Sequence, residues 1–188
     1  MFMLIRFASV IGVFALIASN WSEKPQPVSN PESRKLFETE LKDMYYVENR
    51  LVIKISELEE LAMGEELKKG LQEHRQETLG HAKRLEDVFA VLGLKPEEHT
   101  CKGINGILDD GDEVVKEFTG TAGLDQAIIT GARKAEHYEI SSYMTLVALA
   151  RQMDLDPKLE ILLRENLQEE RISDEKLAQL FDDTSAMR

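Results

Sequence analysis

Four long segments of this chain repeat apolar residues at helical spacing, and each of the four stripes is interrupted by acids. The first reads Phe37, Leu41, Met44, Glu48, Leu51, Ile55, Leu58, and the second Leu67, Leu71, His74, Thr78, His81, Leu85, Val88, Leu92, with Glu77 one step beside it. The third is Ile129, Ala132, Glu136, Glu139, Tyr143, Leu146, and the fourth Leu163, Leu167, Glu170, Asp174, Leu177. A stripe of this period is the face that an amphipathic helix turns toward a core. An unpaired carboxylate on that face costs several kcal/mol or is forced to take up a proton. Six carboxylates and two imidazoles converging on one interior therefore make sense mainly if cations sit among them.

The chain has 188 residues, enough for one domain with a sizeable core. Charged residues make up 31% and aromatics 6%, with five prolines, which suits long solvated helices better than a sandwich or barrel. The expected fold class is all-α. A formal net charge of -12 with no basic stripe to offset it repels phosphate and anionic lipid, so nucleic acid is not an expected partner. Cys101 is the only cysteine, so neither an internal disulfide nor a thiolate metal cage can form. Its plain role is a small buried hydrophobe or a free loop thiol.

Residues 1–28 differ in kind from the rest. The stretch from Phe2 to Ala18 is apolar apart from Arg6 and Ser9, and a polar spacer with Pro25 and Pro27 follows. It reads as an export signal or a membrane anchor, although its uninterrupted apolar part is short for a span and no small-x-small cleavage site follows. Alternatively, translation begins near Val28, where Val28-Ser29-Asn30-Pro31 leads directly into a helix. A start there gives a cytoplasmic protein. A true signal or anchor gives a periplasmic or membrane-attached one, the only case in which a membrane is a partner. Residues 29–188 form the expected domain.

Asn30 followed by Pro31 is a helix start, with Asn as cap and Pro at the first helical position. The first helix runs over 31–63, Gly64 turns the chain, and the second runs to about residue 92. Gly93 and Pro96 stop it, and a long link holding a short amphipathic helix around 104–118 follows. Thr119-Gly120-Thr121 is expected to open the third main helix, and Asp156-Pro157 caps the fourth, which fades near residue 182. At 1.5 Å per residue each main helix is roughly 40 to 45 Å long, and the short links force antiparallel pairs. One long link between the second and third main helices can cross the bundle end to end, which is the wiring of a ferritin-like four-helix bundle.

The acids have the spacing of a carboxylate-bridged metal pair. Glu77 and His81 lie four apart, about 40° around a helix, so both can reach one ion. Glu136 and Glu139 are three apart, Glu170 and Asp174 repeat the four-residue spacing, and Glu48 adds a carboxylate from the first helix. Six negative charges around two divalent ions leave about -2 for neighbouring donors to satisfy. Tyr45 and Tyr143, near Glu48 and Glu139, are candidate donors. His74 reads as a core or boundary histidine, and His99 and His137 lie off the inward stripes.

At "ELKDMYYVENRL" (40–51), "QEHRQETLGHAKRLEDVFAVLG" (72–93), "KAEHYEISSYMTLVALA" (134–150) and "LQEERISDEKLAQL" (167–180), the sequence resembles the YciE/YciF group of bacterial ferritin-like stress proteins, related in layout to rubrerythrin. The resemblance implies a ferritin-like bundle, a homodimer, a di-iron centre and a role in stress response. Carried over residue by residue, it implies the metal ligands Glu48, Glu77, His81, Glu136, Glu139, Glu170 and Asp174. Two departures stand out. The Glu-x-x-His of ferritins is Glu-x-x-x-His at Glu77, and the fourth main helix offers Asp174 where a histidine is expected. An oxygen-rich set shifts preference toward manganese or a weakly held iron, and argues against efficient oxygen activation. The apolar N-terminus lies outside the group's pattern, which favours the start near Val28 and the cytoplasm. The expected function is thus a protein with two divalent cations, iron or manganese, that oxidises Fe(II) or disposes of peroxide. The competing expectation is a non-enzymatic dimeric bundle with a structural or interaction role, so catalysis itself stays open at this point.

Overall fold

The computed structural model describes residues 30–186. Helix α1 (Pro31–Leu61) begins on the expected cap: Asn30 is extended, its Oδ1 accepts the Glu32 N–H at 2.8 Å, and Pro31 needs no partner at the first helical position. Helices α2 (Glu65–Val91), α3 (Lys102–Phe118), α4 (Leu124–Gln152) and α5 (Pro157–Ala186) follow, with no strand among the described residues. The segment 1–28, with every reading of it given above, lies outside the described residues. Among those described, no helix is long and apolar enough to cross a membrane.

The two short connections are fixed differently. Between α1 and α2, the carboxylate of Asp125, in the first turn of α4, accepts the N–H groups of Met63 and Gly64, both at 2.8 Å. A Cβ on Gly64 would lie 2.9 Å from Asp125 Oδ2, so the clamp needs glycine there. Between α4 and α5, Asp154 takes the left-handed conformation (φ 52) and Leu155 N–H closes onto the Ala150 carbonyl at 3.1 Å. That position usually goes to glycine, but a short polar side chain tolerates it. Both turns hold their helices antiparallel.

The long link does the crossing. His99 N–H reaches the Lys42 carbonyl at 3.3 Å, which lays the link beside the first half of α1. Helix α3 then travels alongside α1, with Tyr46 bonded to Asn105 near its start and Lys54 to Asp112 further on. It ends by the α1–α2 turn, where α4 begins, so α4 runs antiparallel to α1 and α5 antiparallel to α2. This is the one-crossover wiring of a ferritin-like bundle. Thr119-Gly120-Thr121 does not open α4. Gly120 has φ 78, and the Thr121 hydroxyl bonds back to the Phe118 carbonyl, so these residues form a turn and the helix starts at Leu124.

Apolar side chains fill both ends of the bundle. Phe37, Leu41, Leu85, Phe89 and Leu159 pack at one end, and Ile55, Leu67, Leu124, Ile128 and Leu177 toward the other. The layer between them is polar. We expect Asp125→Ala, which leaves two turn N–H groups without their acceptor, to lower unfolding free energy by about 1 to 3 kcal/mol in urea titrations. Asp125→Asn, which keeps one acceptor oxygen, should lose less, and an unchanged midpoint for the alanine variant would rule out the clamp.

Candidate metal centre

Each main helix turns part of its polar stripe into that middle layer. Among the described residues, four acids are buried: Glu48 from α1, Glu136 and Glu139 from α4, and Glu170 from α5; α2 supplies His74 and His81, one on each side of Thr78. The histidines are seven apart, two helical turns, so both face the same way. They mark two adjacent triads whose ligand atoms lie within 4.8 Å of one another: Glu48, His81 and Glu170; and His74, Glu136 and Glu170. Glu170 belongs to both. Fully buried Glu139 feels the charges of Glu170, Glu48 and Glu136, which include members of both triads.

Within the triads, His81 Nδ1 lies 2.7 Å from Glu170 Oε1 and 3.4 Å from Glu48 Oε2, and His74 Nε2 lies 2.9 Å from Glu136 Oε1. These contacts are close without being aligned hydrogen bonds. Buried and without a hydrogen-bond partner are Glu48 Oε2, His81 Nδ1, Glu136 Oε2, Glu139 Oε1 and both oxygens of Glu170. Buried polar atoms are normally paired, so this concentration in one layer is unusual.

The outer faces of the same side chains are held. Tyr143, fully buried, donates its hydroxyl to Glu48 Oε1 and accepts from Asn166 Nδ2 at 2.8 Å. Asn166 also donates to the His81 carbonyl at 3.3 Å, and its own carbonyl oxygen accepts from Arg84. Arg84 pairs with Glu169, whose Oε2 lies 2.9 Å from His81 Nε2. A carboxylate on the far nitrogen fixes the ring's orientation and makes the inward nitrogen more basic.

Two of the expected ligands lie outside the cluster. Glu77 is half-buried at its edge, 3.6 Å from His74 Nδ1 and 3.6 Å from Lys176 Nζ, and the His74 contact holds its carboxyl below the usual range. Asp174 is tied to Arg133 Nε at 2.8 Å and His137 Nε2 at 3.1 Å. The reason is rotational: a step of four residues turns about 40° around the helix, which carries Asp174 from the Glu170 direction toward α4. Tyr45, expected near Glu48, bonds instead to Glu86 and packs edge-on against Phe89. Conversely, the structure brings His74 into the centre, along with Asn166, Arg84 and Glu169 around it. The signal for Asn166 was present, since it continues the spacing of Leu163, Leu167 and Glu170.

Burial works against the charges of Glu48, Glu139, Glu170 and His81. It raises Glu48 and lifts Glu139 well above the ordinary carboxyl range, while burial and the neighbouring Glu136 push Glu170 up to about 7. Burial also opposes the His81 charge, but Glu48 and Glu170 outweigh it and push the imidazole up to about 10. Burial and Glu48 keep the Tyr143 hydroxyl protonated far above its usual range. Without cations the cluster therefore retains protons at neutral pH.

The protein is thus an antiparallel helical bundle with one crossover, closed around a buried layer of carboxylates and histidines. Residues 32–188 match the model of a family described as a domain of unknown function, DUF892, and the chain belongs to that family. Protein YciF of Escherichia coli (strain K12) is 34% identical over 141 residues, covering 74% of this chain and 84% of YciF. The crystal structure of the E. coli stress protein YciF superposes with a TM-score of 0.78 at 31% identity, over 83% of this chain and 98% of that one. YcfI of Rhodopseudomonas palustris, provisionally described as a structural protein, gives a TM-score of 0.75 at 34% identity, over 84% and 97%.

A group whose folded pKa exceeds its unfolded value favours folding below the unfolded value and loses that contribution as pH rises through the folded one. For Glu170 the window runs from 4.5 to about 7, and for His81 from 6.5 to about 10. We therefore expect the chelated, metal-free chain to lose stability steadily between pH 5 and pH 9 in urea titrations. Glu170→Gln should flatten the lower part of that decline, and a metal-free stability that rises with pH would contradict the assignment.

Proposed function

We propose that the polar layer binds two divalent cations, iron or manganese, and that the loaded protein oxidises Fe(II) or disposes of peroxide under stress. The observation that carries this reading is Glu170: fully buried, common to both triads, and with neither oxygen engaged in a hydrogen bond. A carboxylate so placed suits bridging between two cations. The donor set fits in kind and in charge. Four buried carboxylates neutralise two divalent cations with both imidazoles uncharged, the state in which histidine ligates. YciF, the relative described as a stress protein, supports the biological setting.

Glu48, His81 and Glu170 would hold one cation, His74, Glu136 and Glu170 the other, with Glu139 available to either. Bound there, such a pair supplies one-electron redox chemistry at each ion. The chain's own part is orientation and exclusion. Tyr143 aims Glu48 from outside, Glu169 aims His81, and the apolar layers on both sides keep bulk water from the carboxylates. Arg84 and Asn166 hold Tyr143 in place, so its proton stays on Oη against Glu48.

A structural reading has its own support in the name of YcfI and in the histidine contacts, which let imidazolium and carboxylate partly neutralise each other without metal. Metal content separates the two. Protein purified without a metal-affinity tag is expected to hold two Mn(II) or Fe(II) per chain by elemental analysis, and chelator should lower its melting temperature more at pH 8 than at pH 5. Glu170→Gln should abolish tight binding at both positions. Asp174→Asn and Glu73→Ala should keep the stoichiometry, and Glu77→Ala should weaken affinity about 10- to 100-fold through His74 without changing it. No metal, with a melting temperature indifferent to chelator and to added Mn(II) or Fe(II), would favour the structural protein.

A further inference from the structure

A cavity of about 60 Å³ opens directly from the carboxylate layer. Glu136, Glu139 and His74 line it at one end. Its walls then follow residues 51–58 of α1, 128–135 of α4 and 173–180 of α5, so it extends along the bundle axis toward the α1–α2 turn, with α3 closing its side. Leu51, Ile55, Leu71, Ile128 and Leu177 make these walls apolar. The most exposed lining residues, Asp112 and Lys176, are paired with Lys54 and Glu77 at the rim.

Three glycines in helix interiors border the space: Gly70 of α2, Gly111 of α3 and Gly131 of α4. Mid-helix glycine is destabilising relative to alanine. Close packing does not demand it here. A Cβ on Gly70 would come no nearer than 3.7 Å to Leu180, and one on Gly131 no nearer than 3.6 Å to Gly111, both ordinary contact distances. The chain thus forgoes methyl groups that would fit, and the result is open volume beside the acids.

We propose that this chamber holds a compact apolar molecule, of dioxygen's size and polarity, against the Glu136 and Glu139 side of the cluster. Size and lining select the guest. One water needs about 10 to 15 Å³ and a benzene-sized guest a cavity nearer 150 Å³, and away from the acids the leucine and isoleucine walls offer water no partner. Hydrogen peroxide moving along these walls would forfeit hydrogen bonds that the leucines and isoleucines cannot replace. A nonpolar diatomic loses nothing. Delivery of such a molecule to the centre rests on the two-cation reading above, whereas occupancy of the chamber does not.

Xenon is the probe for occupancy. Crystals of the full chain under xenon pressure are expected to show anomalous density between α1, α4 and α5 next to Glu139, with or without Mn(II). Ala132→Leu, which fills the chamber from α4, should abolish that density. Gly70→Ala with Gly131→Ala, a milder filling, should weaken it while raising the melting temperature. No xenon in the wild-type chamber, or xenon indifferent to both fillings, overturns the proposal. In Fe(II)-loaded protein the fillings should slow oxidation by dioxygen several-fold and leave oxidation by peroxide unchanged; equal slowing of both overturns the access route. Failure to bind Fe(II) would instead strike the two-cation reading, with the xenon result still deciding the chamber.

Discussion

Burying Glu170 is the constraint around which this protein is organised. A carboxylate in the middle of a bundle, with neither oxygen in a hydrogen bond, is tolerated only if positive charge meets it or if it keeps its proton. The helices supply the first answer partially, through His81 at 2.7 Å, and burial enforces the second by raising the acid to about 7. Glu48, Glu136 and Glu139 share the same problem in the same layer, so histidines alone leave it half solved. Cations that match four carboxylates would complete it.

Much of the architecture follows from keeping that layer rigid and dry. Apolar caps at both ends of the bundle close it off, and its outer atoms are tied into a chain running from Arg84 through Asn166 and Tyr143 to Glu48. Each member of the chain comes from a different helix, so a shift of one helix against another disturbs the orientation of a buried acid. The long link contributes in another way. Helix α3 lies against α1 and α4, where Gly111 and Gly131 meet, and forms the side wall of the apolar chamber beside Glu139. One crossover therefore sets the antiparallel order and shapes the space next to the site.

What could be read in advance divides by range of interaction. The cap at Asn30-Pro31, the turn at Gly64, the all-α class and the one-crossover wiring follow from local chemistry and from link lengths. The inward direction of Glu48, Glu136, Glu139, Glu170 and His81 was likewise legible as breaks in apolar stripes, and the buried positions agree. Thr119-Gly120-Thr121 forms a turn rather than the expected helix start because serine- and threonine-type residues serve turns as readily as caps, and Gly120's positive φ settles which. A lone histidine on an apolar face is ordinarily a core residue, and nothing in the second helix alone reveals that Glu136 lies 2.9 Å from His74 across the bundle.

Which face of each helix turns inward depends on a period of 3.6 residues, so the apolar stripes reveal that face locally. Which side chains on those faces meet depends on how the helices pack. Asp174 follows Glu170 by a single turn and has the right chemistry, yet a rotation of about 40° and the presence of Arg133 on α4 take it into an ion pair at the edge. Glu77 goes to His74 and Lys176 by the same rule. Which acids become neighbours depends on how α2, α4 and α5 are rotated and aligned against one another, a long-range packing property that no single stripe encodes.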